Sequence, residues 1–198
     1  MAAGRVITGF SKPYVAKFSE SPASSAIQLI TYNDGQPLAR GVSVSIDPES
    51  GDDNGFYGDN GLAETERQRF SGGTVTLTVD GLFADAERLI MGLPAASSGW
   101  ISYNDDQNVP LVGIGFIIRY QSGGTVTYVP VILVKCRFTQ IPTSAATQEE
   151  NVDYQTQELT AKILKTNGGK WKRVGPDYAS EDQAEAVIRT YFSILAED

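Results

Sequence analysis

Apolar and polar residues alternate with a period of two along most of the chain. The alternation is clearest over residues 42–47 and 74–79, where every second position is valine, leucine or isoleucine and the positions between are mostly serine or threonine. Such a pattern is typical of strands with one buried face. It recurs from 156 to 164 and, more weakly, from 14 to 18. The chain is therefore predicted to be mainly β.

A longer ribbon is strand-like over residues 109–120 and 125–138, with a turn at 122–124. Apolar residues occupy both of its alternation faces, which predicts that it is covered on both sides, by a second sheet or by other subunits. Asp34-Gly35 lies between the strand-like residues 27–32 and the strand at Val42, and Asp-Gly is a strong signal for a tight hairpin.

Two segments change to the helical period. Residues 81–92 predict a helix lying across a sheet, in which 82, 83, 86, 89 and 90 form the apolar face, Asp80 caps the start and Gly92 ends it. The second helix begins at Ser180, with Gln183 as the capping-box partner. Its apolar positions follow at helical spacing: Ala184, Val187, Ile188, Tyr191, Phe192 and Leu195. That face is predicted to dock on its own domain or, alternatively, on a neighbouring chain.

Composition excludes several kinds of chemistry. The chain has 198 residues, as expected for one domain, and no histidine, which removes Ser/His/Asp and Cys/His nucleophiles and imidazole metal ligands. The single cysteine, Cys136, excludes an intramolecular disulfide. It is predicted to be a buried structural thiol that shares a face with Ile132, Val134 and Phe138. A net charge of -8 argues against a protein that grips nucleic acid.

The acidic excess is local. Residues 41–66 carry seven acids and no base, and the acids are Asp47, Glu49, Asp52, Asp53, Asp59, Glu64 and Glu66. Basic residues concentrate near the end, at Lys162, Lys165, Lys170, Lys172 and Arg173. The protein is therefore polarised along its sequence.

The acidic segment suggests calcium binding, because Ca²⁺ prefers oxygen ligands. The EF-hand register fails, since Gly61 stands where a bidentate glutamate is needed. Phe56 and Tyr57, set among glycines and aspartates, predict contact with a partner surface; the alternative is a solvated hairpin tip folded on its own domain. The segment 170–173 could be a nucleic-acid patch, but a charged hairpin or a subunit-contact strip is the favoured interpretation.

Four stretches carry a resemblance to a known family. The chain resembles the major tail proteins of bacteriophages with long, non-contractile tails from about residue 5 to about residue 175. The stretches that carry it are ARGVSVSI (39–46), DNGFYGDN (53–60), GLFADAERLIMGLP (81–94) and SAATQEE (144–150).

The resemblance implies a β-sandwich or barrel of the tail-tube type over residues 1–175, with a flanking α-helix, to which residues 176–198 add a C-terminal amphipathic helical extension. It implies a virion protein, made in the host cytoplasm, that assembles as hexameric rings stacked head to tail into a hollow conduit for DNA ejection. The implied partners are other copies, a tape measure protein in the lumen, and tail terminator and distal tail proteins at the ends. No enzyme activity, cofactor, metal or membrane partner is expected.

In such tubes a long loop reaches the adjacent ring, and the loop over about 47–70 is the natural candidate. Head-to-tail stacking needs two complementary surfaces, which the acidic and basic segments could supply. The candidate inter-ring residues are Asp47, Glu49, Asp52, Asp53, Phe56, Tyr57, Asp59, Lys170, Lys172 and Arg173.

The lumen of such a tube should not bind the DNA that it carries. A wall of negative charge and small hydroxyls would repel phosphates and let the duplex slide. Two alternative strips are candidates for this wall: Thr74, Thr76 and Thr78, or Thr156, Glu158 and Thr160.

Two other classes of function stay open. A soluble β-sandwich module that binds carbohydrate or protein predicts a concave aromatic site. A calcium- or carboxylate-dependent enzyme predicts a pocket with perturbed acids. The N-terminus lacks the long apolar stretch of a secretory signal, and no apolar run reaches the roughly 20 residues of a membrane span, which predicts a cytoplasmic, soluble product.

Overall fold

The computed structural model describes residues 4–22, 24, 29–51, 55–58, 61–65, 69–94, 100–105, 107–144, 147 and 155–194, with the backbone alone over 55–58 and 61–65. The chain is mainly β, as predicted. The strands are β1 (Val6–Glu20), β2 (Ile30–Pro37), β3 (Gly41–Ser50), β4 (Gly55–Gly58), β5 (Gly61–Thr65), β6 (Phe70–Val79), β7 (Val112–Ser122), β8 (Thr125–Phe138), β9 (Gln157–Leu164) and β10 (Lys172–Val174). The helices are α1 (Ala84–Met91) and α2 (Glu181–Tyr191).

One antiparallel sheet contains eight of the strands. Its order is β2-β1-β7-β8-β9-β6-β3, and β10 pairs with β8 beside β9. The sheet curls, so that the Phe10 ring of β1 packs directly over Gly41 at the start of β3. β4 and β5 form a separate two-stranded hairpin. The architecture is that of a mainly β sandwich or barrel.

The concave side of the curled sheet encloses the main core. Alternate residues of β6 and β9 point into it, which confirms the period-two pattern of both strands: Val75, Leu77, Val79, Leu159, Ala161 and Ile163 are all buried. α1 closes the same core with Ala86, Leu89, Ile90 and Met91. Burial of an aliphatic side chain contributes about 1.5 to 3 kcal/mol, so this cluster is the main source of stability.

A second core lies on the outer side of β1, β7 and β8. There α2 packs Ala184, Ile188 and Phe192 against Ile117 of β7 and Ile132 of β8. The apolar face of α2 thus docks on its own domain, as the first alternative predicted. The β7–β8 ribbon is covered on both faces, as predicted. The predicted cover was wrong, because α2 of the same chain packs on the outer face in place of a second sheet or another subunit.

A bulge in β8 changes which residues share a face. Val112 of β7 pairs with Cys136 and Ile114 pairs with Leu133, so β8 has an extra residue there. Cys136 therefore faces the main core, while Ile132 faces α2. The prediction that these two share a face was wrong for this reason, but the predicted burial of the thiol is confirmed, and that burial raises its pKa.

Asp34-Gly35 lies inside β2 and does not form the predicted tight hairpin. β2 pairs with β1, and the register between them shifts near Asp34, whose φ is 55°. Asp34 also forms an ion pair with Lys17 at 2.8 Å. Aspartate tolerates positive φ, so the same residues that favour a turn here allow an irregularity within a pair of strands.

The helix boundaries follow the predictions in part. Gly92 ends α1 with φ 68°, and the Ser180 hydroxyl accepts a hydrogen bond from the Gln183 N–H at 3.3 Å, both as predicted. Asp80 does not cap α1; its carboxylate accepts from the Arg40 N–H at 3.0 Å and pairs with the Arg40 side chain. Phe83, predicted on the apolar face, precedes the helix and is 53% exposed.

Candidate functional site: a polar face on β3, β6 and β9

Outward-pointing side chains of β3, β6 and β9 form three cross-strand rows. Directly opposed residues of antiparallel strands lie on the same face, so the pairing defines each row. The rows are Ser43, Thr78 and Glu158; Ser45, Thr76 and Thr160; and Asp47, Thr74 and Lys162. The alternate residues of β6 and β9, together with Val44 and Ile46 of β3, pack against the main core instead. The result is one continuous polar face, which we call the polar face.

Small hydroxyls occupy the middle of the polar face. The Ser43 hydroxyl donates to Thr78 Oγ1 at 2.9 Å, and the Ser45 hydroxyl donates to the Asp47 carboxylate at 3.2 Å. These bonds hold the side chains close to the sheet. Within the described rows the central one carries hydroxyls alone, so it offers hydrogen bonds and no formal charge.

Charge is confined to the two ends of the polar face. Glu158 lies at one end, and Asp47 and Lys162 lie at the other, where Arg137 of β8 continues the row as the direct partner of Lys162. Two acids and two bases balance. The polar face is therefore close to neutral, which differs from the acidic wall that the sequence suggested.

The two candidate lumen strips turn out to be neighbours. Thr76 pairs with Thr160 and Thr78 pairs with Glu158, so five of the six candidates lie on one face and are not alternatives. Thr156 is the exception, because it precedes β9 and lies beyond the last pair of that strand with β6. The strand order that brings the strips together cannot be deduced from periodicity alone.

The acidic and basic segments meet at one end of the sheet. β3 ends and β6 begins where Ser50 pairs with Phe70, and the Phe70 ring stacks on Trp171 with centroids 4.3 Å apart. Asp47 and Glu49 are exposed near this end, and Lys170 is exposed beside Trp171. These candidates are therefore neighbours and do not lie on opposite ends of the subunit.

The remaining inter-ring candidates are only partly described. Phe56 and Tyr57 lie in β4, which pairs with β5. Lys172 and Arg173 lie in β10, where Arg173 contacts the Tyr191 ring of α2 at 5.1 Å. Three further candidates, Asp52, Asp53 and Asp59, lie outside the described residues.

Sequence reasoning missed four members of this surface. Ser43 and Ser45 belong to the polar face, and Lys162 and Arg137 form its charged end. Their alternation with buried residues was visible in the sequence. What was missing was the pairing of β3 with β6 and of β6 with β9, which depends on contacts distant in sequence.

A groove of about 390 Å³ lies at the opposite end of β3. Its walls include Pro13, Pro37 and Phe83, and its rim includes Lys12 and Arg40. Both cations have acidic partners: Lys12 pairs with Glu185 at 2.5 Å, and Arg40 pairs with Asp80 at 2.6 Å. The groove is therefore mainly apolar and carries little net charge.

The described residues contain no group of three or more aspartate, glutamate or cysteine side chains placed to hold a metal ion. Neither α1 nor α2 has the length and apolar character that a membrane-spanning helix requires.

No protein-family model and no curated protein matches the chain. The fold and the surface therefore define the class on their own: a mainly β domain whose sheet is covered by a helix on part of its outer side and presents a polar face on the rest.

Proposed function

We propose that the protein is a structural subunit of a phage-type tail tube, in which hexameric rings stack into a hollow conduit and the polar face lines the lumen. The supporting observation is the division of the outer sheet surface. α2 covers β1, β7 and β8, whereas β3, β6 and β9 present serines, threonines and balanced charges. A surface of this kind is suited to facing water and a passing polyanion.

Ring formation would complete the sheet. Among the described strands β3 pairs only with β6, so one side of β3 is an edge. Val42 on this strand is 54% exposed. The unpaired backbone groups of an edge strand of this length can pair with another chain. In a closed ring such pairing would remove the edge. Each copy would then contribute part of an inner wall to which the next copy adds.

The lumen wall would bind the passing DNA only weakly. Binding to DNA depends on cations that neutralise phosphates, with a steep dependence on their number. The central row of the polar face has none, and the cations at its end are matched in number by acids. A duplex would meet hydroxyls and ordered water and would pass without being held. The function requires no catalytic step.

Electron microscopy of the purified protein tests this proposal. Negative-stain images at rising protein concentration, with and without tail initiator proteins, should show sixfold rings or hollow tubes. Monomers that persist at high concentration and fail to polymerise on an initiator would contradict it.

The groove at the start of β3 supports a second candidate, a binding module for a peptide or carbohydrate. Exposed Phe83 beside an apolar wall is a feature of such sites. Under this proposal Phe83→Ala would abolish ligand capture on glycan and peptide arrays. Under the tube proposal the same arrays would show no specific ligand for either protein.

A further inference from the structure

Four exposed cations at one end of the sheet have no acidic partner among the described residues. We call them the basic rim: Arg137, Lys162, Lys165 and Lys170. Nearby Lys135 differs, because it pairs with Glu20 at 3.3 Å. Both oxygens of Glu20 have partners outside the rim, because the other one accepts from the Asn167 N–H at 2.7 Å.

The arrangement of the basic rim is unfavourable in an isolated subunit. Arg137 and Lys162 are directly opposed across β8 and β9. Like charges directly opposite each other destabilise a sheet, and an acid close by would relieve the repulsion. Asp47 belongs to the same row but lies beyond Thr74, two strands away from Lys162. The rim therefore has the chemistry of a docking site for an acidic segment.

The β4–β5 hairpin has the complementary chemistry. Among the described strands β4 and β5 pair only with each other, and a two-stranded hairpin alone is marginally stable in water. Residues 55–65, which span the hairpin, hold two acids, Asp59 and Glu64, and no base. They also hold the aromatic pair Phe56 and Tyr57. Such a hairpin gains stability by packing its aromatic and acidic residues on a basic surface.

Position identifies which copy is the partner. The hairpin leaves the sheet at Ser50 and Phe70, and Phe70 stacks on Trp171, next to Lys170 of the basic rim. The hairpin root and the rim are thus at the same end of the subunit. Among the described elements, β4 and β5 do not pack extensively on β8 or β9, the strands that carry Arg137 and Lys162, so the hairpin leaves the rim of its own subunit uncovered. A second copy beside it can supply the rim that the hairpin contacts.

We propose that the basic rim of one copy binds the acidic β4–β5 hairpin of a second copy placed side by side with it. The contact is heterologous, so repeating it generates a ring when the rotation closes. It assigns the acidic segment to contacts within a ring instead of between rings. The proposal rests on the proposed tube function for its role in ring closure, but the contact itself needs only two copies.

Disulfide trapping between two differently tagged copies tests the contact. One copy carries Phe56→Cys and the other carries Lys165→Cys; Cys136 is buried and gives little background. Oxidation should yield the mixed dimer. The matched control replaces Lys165→Cys with Gln183→Cys, at an exposed position on α2, and should yield at least tenfold less. A double variant, Phe56→Cys with Lys165→Cys, that closes within one chain at high dilution would overturn the proposal.

Charge reversal then separates this contact from stacking. Lys162→Glu with Lys165→Glu should reduce ring formation at least tenfold, and the same loss should follow when wild-type protein is placed in high salt. Rings that form but fail to stack would overturn the proposal, because the hairpin would then act between rings. Wild-type tubes without a mixed dimer would also overturn it and leave the tube function intact. A mixed dimer from a protein that forms no rings would reject the tube and keep the contact.

Discussion

Glu185 connects α2 to an irregular part of β1. Its carboxylate accepts from the Lys12 ammonium and from the Tyr14 hydroxyl, each at 2.5 Å, and Lys12 has φ 52°. Partial burial raises the pKa of Glu185, but the hydrogen bonds from Lys12 and Tyr14 outweigh it, so the pKa lies below its ordinary value of 4.5. This one side chain therefore joins the helix to the strand.

Glu185→Gln is expected to lower the free energy of unfolding at pH 7 by about 1 kcal/mol, because a charge-assisted bond is lost at a partly exposed site. The folded-state pKa is lowered, so the contribution of Glu185 is full above its unfolded pKa and is lost as pH falls through the folded pKa. Urea unfolding from pH 7 to pH 3 should show the two proteins converging at low pH. Exposed Asp182→Asn is the control. A constant difference across that range would contradict the assignment.

Gly115 allows α2 to approach the sheet. A Cβ at this position would lie 2.7 Å from Ile188 Cγ2 and 2.8 Å from Phe192 Cε2. Gly115→Ala should push α2 outward and cost about 1 to 3 kcal/mol of stability, as overpacking does. At Gly4 a Cβ meets nothing within 4 Å, so Gly4→Ala is the matched control in thermal unfolding. Equal melting temperatures for the two variants would show that α2 does not pack as described.

At the scale of elements, α2 covers the apolar part of the outer sheet surface and shields it from water. It buries Tyr32, whose hydroxyl donates to the Val134 carbonyl at 2.8 Å beside the bulge of β8. The Phe192 ring packs edge-on against Tyr32 with centroids 4.9 Å apart. Without α2 the outer faces of β1, β7 and β8 would be an exposed apolar surface, and such surfaces promote aggregation.

The first turn of α2 depends on Ser180. Ser180→Ala removes the hydrogen bond to the Gln183 N–H and should cost about 1 kcal/mol of stability. Hydrogen exchange should show faster exchange of amides in the first turn of α2, with the amides of β6 and β9 unchanged below global unfolding. Asp182→Asn is the control, because it changes an exposed residue of the same turn and leaves the Ser180 cap in place. Unchanged exchange in the first turn would contradict the role of the cap.

The elements with a strong periodic pattern were predictable, whereas β4, β5, β10 and most of β1 were not, and neither were the partners of the strands. The alternation of β6 and β9 and the cap of α2 are local signals, and both are present in the structure. The predictions at irregular sites were wrong because a bulge leaves little trace in the sequence. Asp34 has the sequence signal of a turn but lies at a register shift between β1 and β2. The extra residue in β8 places Cys136 and Ile132 on opposite faces. The polar face depends on pairing between strands far apart in the chain, which periodicity does not contain.

At the scale of the whole molecule, the two sides of the curled sheet have different roles. The concave side holds the main core, and the outer side is divided between α2 and the polar face. The same strands β6 and β9 thus supply both stability and the proposed lumen. Substitutions that point outward from these strands can alter the wall without disturbing the core.

Thr76→Lys with Thr160→Lys places two cations in the central row of the polar face. Tubes of this variant should form and should retain DNA that enters them at low salt, whereas wild-type tubes should not, because added cations strengthen phosphate binding in a salt-dependent way. Fluorescent DNA retained on pelleted tubes is the measurement. Gln183→Lys on α2 is the control. Equal retention by the wild type and the double variant would contradict the assignment of the wall.

The most direct test of the central claim is a cryo-EM map of the polymer formed by the protein. The account predicts a hollow assembly of stacked sixfold rings in which Ser45, Thr76 and Thr160 face the lumen and α2 faces outward. A hollow tube with α2 lining the lumen, or an assembly with no channel, would contradict it.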